Sequence, residues 1–445
     1  MLVKNQEIDV VIESVGSDAQ GIARVDGFVV FVPFAIKGET VKVHIIKTTK
    51  NYAVGKIIAL IKPSKERVNV PCPVYGKCGG CALQHCSYQE ALKVKKQIVK
   101  DAIHKIGGFY DQEVNDVVGS NYCYGYRNKA SFPLFVNNDG DLEVCMFRGL
   151  SHDPIYINDC HITMTHINII AEIFKNFVNK VYSLEQKNKL KHLVVRYIDG
   201  KALVTIVSQE KPIKFDNLFD LMMKALGINE NMLGLFWCKK SKDNNVILEG
   251  EITHLLGIRN ILTEFMGISV EVSPLSFFQI NIDIMQKIYK EVVQGVKEGQ
   301  VVVDAYSGAG LLSALISKKA KSVYGIEIVP EATKNANSLK KQNNIDNLVN
   351  INGDVSQELP KLVEKIGKDF TLVLDPPRKG VDERVINTIL GVLPKNILYV
   401  SCNPASLARD LKMICKGGYK IEEIIPFDMF PQTAHIESFV KLSKM

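Results

Sequence analysis

The chain has no uncharged apolar run of about 18 residues, the length a membrane-crossing helix requires. Its opening stretch, Met1-Leu-Val-Lys-Asn-Gln-Glu7, carries neither the apolar core of a secretory signal nor the composition of a transit peptide. A cytoplasmic location without membrane contact is therefore expected. Charge of one sign is also in short supply. With 55 Lys+Arg against 48 Asp+Glu the formal charge is +7, mild for a nucleic-acid binder and equally compatible with a plain enzyme. Internal repeats and low-complexity tracts are missing, which sets aside solenoids and disordered scaffolds. What remains is an ordinary globular composition, 46% apolar and 23% charged, over 445 residues, enough for roughly two to four domains.

Ten cysteines in a chain expected to be cytoplasmic point to metal binding or catalysis rather than disulfides. Cys72, Cys78 and Cys81 stand in a C-x5-C-x2-C pattern within a tight glycine-bearing loop; Cys86 follows, and Cys160 lies in Ile157-Asn-Asp-Cys-His161. Four thiolates can hold zinc or an iron–sulfur cluster, and ligand softness does not choose between them. A zinc ribbon favours two C-x2-C knuckles, and only one is present, which leans the reading toward a 4Fe–4S cluster.

Residues 1 to about 62 read as five short strands, Glu7 to Glu13, Gly21 to Val25, Phe28 to Val32, Glu39 to Lys47 and Tyr52 to Leu60. Val25-Asp-Gly-Phe28 is a hairpin signal, and the set suits a small oligonucleotide-binding type of β-barrel. Ten basic against seven acidic residues through position 70 hint at a phosphate-facing surface. Phe28, Phe31 and Phe34 are possible stacking platforms, though at least two of them are expected to fill the barrel core. Ser87-Tyr-Gln-Glu90 reads as a capping box opening a helix that stops at Gly107-Gly108. Its apolar stripe is Ile98, Val99, Ala102, Ile103 and Ile106, with Lys93, Lys95, Lys96 and Lys100 on a solvated polar side. Residues 120 to about 260 mix strands and helices in an α+β pattern, and from about 285 helix and strand alternate as in a doubly wound parallel sheet.

That last region carries the chemistry. Val301-Val-Val-Asp304-Ala-Tyr-Ser-Gly308-Ala-Gly310 is a β-branched run ending in an acid and two glycines, which let a backbone approach a ligand closely. Ser322-Val-Tyr-Gly-Ile-Glu327 is a second strand ending in an acid suited to ribose hydroxyls. The turn is not Gly-x-Gly-x-x-Gly, so a dinucleotide site is weakly supported and an S-adenosylmethionine site fits better, with a generic Rossmann-type turn still open. Asp354, after the third strand, is either near an adenine or simply a turn residue. Two more strands end in Asp375-Pro-Pro-Arg378 and in Ser401-Cys402-Asn-Pro404, at the edge where an open α/β sheet binds its ligands. Cys402 there is a candidate nucleophile, Asp375 a neighbouring carboxylate, and His435-Ile-Glu437 a source of a general base.

Taken in order, the four cysteines, Ser276-Phe-Phe-Gln279-Ile-Asn281, the Asp304 to Gly310 turn, Asp375-Pro-Pro-Arg378, Ser401-Cys-Asn-Pro404 and His435-Ile-Glu437 resemble the RNA uracil-5-methyltransferase family. The likeness is to its iron–sulfur members acting on 23S ribosomal RNA, and it spans essentially the whole chain. It implies three domains: a TRAM-like RNA-binding barrel over 1–62, a central α+β domain with the cluster loop over 63–265, and an S-adenosylmethionine-dependent, Rossmann-like methyltransferase domain over 266–445. It implies Cys402 as nucleophile, Glu437 as base, and Asp375 between cofactor and base. Gln279, Tyr306, Glu327 and Asp375 are the implied cofactor contacts, and Cys72, Cys78, Cys81 and Cys160 the cluster ligands, with Cys86 a competitor for the fourth place. Cys123, Cys145, Cys238 and Cys415 join no constellation and are expected in the core. The implied partner is 23S ribosomal RNA bound by a monomer, with transfer RNA as the alternative substrate. An adenine amino-methyltransferase fits less well, since Arg378 stands where an aromatic is needed and Cys402 would be idle. A non-catalytic iron–sulfur RNA-binding protein would need no Cys402 and Glu437 pair.

Overall fold

The computed structural model describes residues 2–242 and 244–445. They fall into two compact units, one built from the chain up to Pro71 with Cys81–Asn121 and Asp283–Met445, the other from Cys72–Gly80 and Tyr122–Ile282.

The first unit opens with β1 (Glu7–Val11), β2 (Ser14–Val15), β3 (Gly21–Val25), β4 (Phe28–Val32), β5 (Thr40–Thr48) and β6 (Tyr52–Lys62), paired in the order β1-β5-β6-β4-β3-β2. The predicted hairpin forms, with Asp26 and Gly27 at φ +49° and +81° between the paired Val25 and Phe28. The core of this sheet is aliphatic, including Ile12, Val30, Val41 and Ile45. Here the expectation for the aromatics fails: Phe28, Phe31 and Phe34 are all only half-buried, because short inward-facing Val and Ala side chains already fill the small interior. Phe31 meets Tyr52 edge-on, and Phe34 meets His85 the same way.

Helix α1 (Tyr88–Asp101) starts at Ser87, whose hydroxyl accepts the Glu90 amide. It continues as a π-helical turn over Ala102–Gly107 and ends at Gly108 in the left-handed region, φ +81°. The widened turn breaks the stripe: Val99, Ala102 and Ile103 are buried, whereas Ile106 is 43% exposed. Lys95 departs further from expectation, because it is wholly buried rather than on the solvated side.

The second unit holds β7 (Lys129–Val136), β8 (Leu142–Phe147), β9 (Pro154–Tyr156), α2 (Thr165–Val181), α3 (Leu184–Lys189), β10 (Leu190–Ile198), β11 (Lys201–Ser208), α4 (Phe215–Leu226), β12 (Leu233–Lys239) and β13 (Ile252–Gly257). The strands order as β13-β12-β11-β10-β7-β8-β9, antiparallel except where α4 links the parallel β11 and β12. Helices α2 and α4 share the core cluster with this sheet. A hairpin of β14 (Ile261–Phe265) and β15 (Ile268–Val272) follows.

The rest of the first unit is α5 (Ile282–Gly295), β16 (Val301–Ala305), α6 (Leu311–Ser317), β17 (Ser322–Glu327), α7 (Pro330–Gln342), β18 (Leu348–Asn352), α8 (Val355–Ile366), β19 (Phe370–Leu374), α9 (Glu383–Val392), β20 (Asn396–Ser401), α10 (Pro404–Lys416), β21 (Tyr419–Phe427) and β22 (Glu437–Lys444). The sheet order is β18-β17-β16-β19-β20-β22-β21. Five parallel strands lead, and β22 joins antiparallel to β20 and β21. Every residue of β19 is buried, as a central strand covered on both faces requires. Strand order reverses between β16 and β19, the switch point at which such sheets take up ligands.

Candidate active site

The glycine turn after β16 is shaped by backbone rather than side chains. Tyr306, Gly308 and Gly310 take φ of +70°, +54° and +81°. A Cβ on Gly310 would stand 2.8 Å from the Ala336 Cβ, so α7 permits no larger residue there. Glu327, ending β17 as expected, accepts the Gly308 amide at 3.0 Å and the Val329 amide at 2.8 Å. Its carboxylate thus stands at the turn with lone pairs to spare, where a ribose diol can reach it. Half-buried Tyr306 packs on the core of the sheet, and burial raises its phenol to about 12. Asp304 turns away from the crevice: it is 1% exposed and accepts from the Ser313 hydroxyl on α6. Burial, together with the charges of Asp375 and Glu327, pushes its carboxyl up to about 7. Asp354 caps α8, accepting the Ser356 amide at 2.8 Å, which is the turn role foreseen as one of its two readings.

Across the switch point the strand ends converge. β20 and β22 run antiparallel in a register whose last pair is Ser401 and Ser438, so Cys402 just after it and Glu437 just before it lie at the same end of the two strands, where the Glu437 carboxylate acts on the Cys402 thiol. Asp375 follows β19, the other neighbour of β20. The three side chains feel one another. Burial and then the Glu437 carboxylate push the Cys402 thiol up to about 11, with Arg378 opposing. Burial brings Asp375 to about 7. Burial and the Asp375 charge raise Glu437 well above the usual carboxylate range, again against Arg378. Tyr289 on α5 lies in the same field, its phenol raised by burial and by Asp375, Asp304 and Glu437. The site is a thiol and two carboxyls in low-dielectric surroundings, with one guanidinium to balance them.

The loop carrying Arg378 is held by α10 through residues that no motif singled out. Ser406 donates to the Arg378 carbonyl at 3.1 Å, Arg409 to the Lys379 carbonyl at 2.9 Å, and the Val381 amide to fully buried Asp410 at 2.8 Å. Tyr399 of β20 donates to the same Asp410 oxygen at 2.7 Å. The signal was present: Asp410 is an acid set within the apolar stripe Leu407, Leu411 and Ile414.

Gln279 belongs to the second unit, in the irregular segment after β15, where its carbonyl accepts from Asn128 at 2.9 Å. Cys72, Cys78 and Cys160 belong there too. Burial and the neighbouring Cys72 raise the Cys78 thiol, and burial together with Cys78 raises Cys160. The Gly80 amide donates to the Cys78 sulfur at 3.3 Å, an interaction that favours a thiolate. Asn168 on α2 accepts the Cys160 amide at 3.0 Å and donates to its carbonyl. The donors have the softness for iron or zinc, although among the described residues no three His, Cys, Asp or Glu side chains stand close enough to hold a metal ion. Cys81 is half-buried in the first unit. Cys86 is buried and donates its thiol to the Leu83 carbonyl. Cys145 and Cys238 are buried as expected, and Cys123 and Cys415 are half-buried.

Comparison with known proteins gives a consistent result. A family model described as tRNA (uracil-5-)-methyltransferase matches residues 87–445, and a TRAM domain model matches residues 3–58. An uncharacterized RNA methyltransferase of Clostridium tetani is 37% identical, covering 99% of this chain and 97% of that protein. A counterpart from Bacillus cereus is 36% identical, covering 99% and 97%. Among solved structures, the tRNA (uracil-54, C5)-methyltransferase of Pyrococcus abyssi, in complex with S-adenosyl-L-homocysteine, superposes with a TM-score of 0.76 at 26% identity. The match covers 98% of this chain and 100% of that one.

Proposed function

We propose, on the premise that this chain belongs to the tRNA (uracil-5-)-methyltransferase family, that it methylates carbon 5 of a uridine in RNA through a covalent adduct on Cys402. The observation that supports this reading is the register of β20 and β22, whose last pair, Ser401 and Ser438, leaves Cys402 and Glu437 at the same end of the two strands. Carbon 5 of uracil is a weak nucleophile. Cys402 adds to carbon 6 and gives the ring carbanion character at carbon 5, where methylation then occurs. S-adenosylmethionine, when bound, supplies the electrophilic methyl group. Gln279, Tyr306, Glu327 and Asp375 are the residues assigned to hold it, Glu327 through the ribose hydroxyls. Glu437 takes the carbon 5 proton, that C–H pair forms the carbon 5–carbon 6 double bond, and Cys402 leaves as thiolate. Arg378 favours both ionisations that this cycle needs, of Cys402 for attack and of Glu437 for proton removal.

Cys72, Cys78, Cys81 and Cys160 are assigned to a 4Fe–4S cluster with a bracing role, since methyl transfer is redox-neutral. The substrate assigned is 23S ribosomal RNA, because a TRAM domain with a cysteine loop resembles that branch of the family. The second reading, transfer RNA, is favoured by the likeness to the Pyrococcus abyssi enzyme. Mapping 5-methyluridine in both RNAs from a deletion strain decides: loss of the mark from transfer RNA alone overturns the ribosomal assignment.

The chemistry is tested by release of tritium from 5-tritiated uridine in RNA. Cys402→Ala is expected to release none while binding S-adenosylmethionine normally, and residual release of even a few per cent sinks the covalent route. Glu437→Gln is expected to accumulate a denaturant-stable protein–RNA adduct in a single turnover.

A further inference from the structure

Lys95 lies on α1, far along the chain from the motifs of the candidate active site, yet its side chain is wholly buried beneath the loop that leads into Glu437. Its ammonium donates to the Asp428 carboxylate, to the Phe430 carbonyl at 2.9 Å and to the His435 carbonyl at 2.8 Å. All three donors of an ammonium are thereby used, and all three acceptors lie in the nine residues between the end of β21 and Glu437. Asp428 is itself fully buried, and its second oxygen accepts from Tyr88 at 2.9 Å. The Tyr88 hydroxyl in turn accepts the Ser120 amide at 2.7 Å. At the far side of the loop Gln432, at φ +68°, offers its carbonyl to the Ala82 and Leu83 amides at 2.8 and 3.0 Å. The segment 428–436 is thus clamped at both ends of its path, and His435, one of the clamped residues, is two positions from Glu437.

We propose that Lys95 is a positioning residue for the catalytic base: its three bonds fix the course of the 428–436 loop and so the place of the Glu437 carboxyl against carbon 5. The proposal rests on the assignment of Glu437 as the base. Addition of Cys402 needs no part of this loop, because Cys402 is carried by β20 and α10. Elimination does need it: Glu437 must reach the carbon 5 proton while the C–H electrons form the double bond and the carbon 6–sulfur bond breaks toward Cys402.

Lys95→Met keeps the length of the stem and removes the three bonds. In rapid-quench single turnovers with 5-tritiated RNA, adduct formation and S-adenosylmethionine binding should stay within about twofold of the parent enzyme. Tritium release should fall about a hundredfold, the cost of displacing a reacting group by about 1 Å, and the adduct should accumulate. Should Lys95→Met fail to fold, Asp428→Asn leaves an acceptor oxygen for the ammonium and should show the same split between steps at smaller amplitude. Addition and elimination slowing together, or elimination unchanged in the folded variant, overturns the proposal. Glu437→Gln serves as the control. If it accumulates adduct and the Lys95 and Asp428 variants do not, only the positioning role is wrong. If it accumulates none, the base assignment fails and takes the positioning role with it.

Discussion

At Cys402, Asp375 and Glu437 the physical demands conflict. In the proposed cycle Cys402 and Glu437 must ionise to act, and both, like Asp375 beside them, are held where burial favours the neutral form. Asp304 extends the same pattern beneath the glycine turn and gives it a measurable consequence. Unfolded, its carboxyl ionises near the ordinary value of 3.8; folded, it holds its proton to about 7. Below pH 3.8 both states are protonated and the contribution to stability is fully present. From there to about pH 7 the unfolded state binds fewer protons than the folded one, so stability falls as pH rises. The melting temperature difference between Asp304→Asn and the parent should therefore shift in favour of the variant as pH rises from 5 to 7.5, because the amide removes this one slope. Calorimetry across that range checks it, and a pH-independent difference refutes the buried protonated acid. Residues of this kind differ in how far sequence exposes them. Cys402 and Glu437 are legible because each ends or begins a strand beside a motif. Lys95 is not, because four lysines on one helix read alike until a distant loop selects one of them for burial.

Elements were legible in proportion to how local their causes are. Strands β3 and β4 have the bounds the pattern predicted, each being set by its own alternation and flanking turns. The two-residue β2 and the π-helical turn after α1 arise from packing that no local pattern encodes, and the clamp of α10 on the Arg378 loop shows in sequence only as an acid, Asp410, in an apolar stripe, without its distant partner. The glycine turn is an intermediate case: its left-handed backbone is readable, and its contact with α7 is not. Gly310→Ala should combine both penalties. A non-glycine residue at φ +81° costs about 1–3 kcal/mol, and the added Cβ must displace α7. The expected outcome is a lower melting temperature and loss of S-adenosylmethionine binding by titration calorimetry, with RNA binding retained.

Over the whole molecule, the family match extends from residue 87 to the end and the TRAM match covers residues 3–58, so the chemistry and the RNA-binding module are read from independent parts of the chain. The cysteine loop between them is the part to probe by composition. Anaerobic preparation should give a brown protein with about four irons per chain, and zinc in their place would refute the cluster. The first unit is assembled from three stretches of chain, with the second unit intervening between residues 121 and 283. Its buried ion pair joins Lys95 to Asp428 across 333 positions. Left alone, a buried charge of this kind costs about 3–5 kcal/mol. During synthesis, then, burying Lys95 is unfavourable until Asp428 and the loop after it have emerged. The helix proposed to steady the base therefore docks only once β21 and the loop after it are in place, which guards a nascent chain from closing around an incomplete sheet.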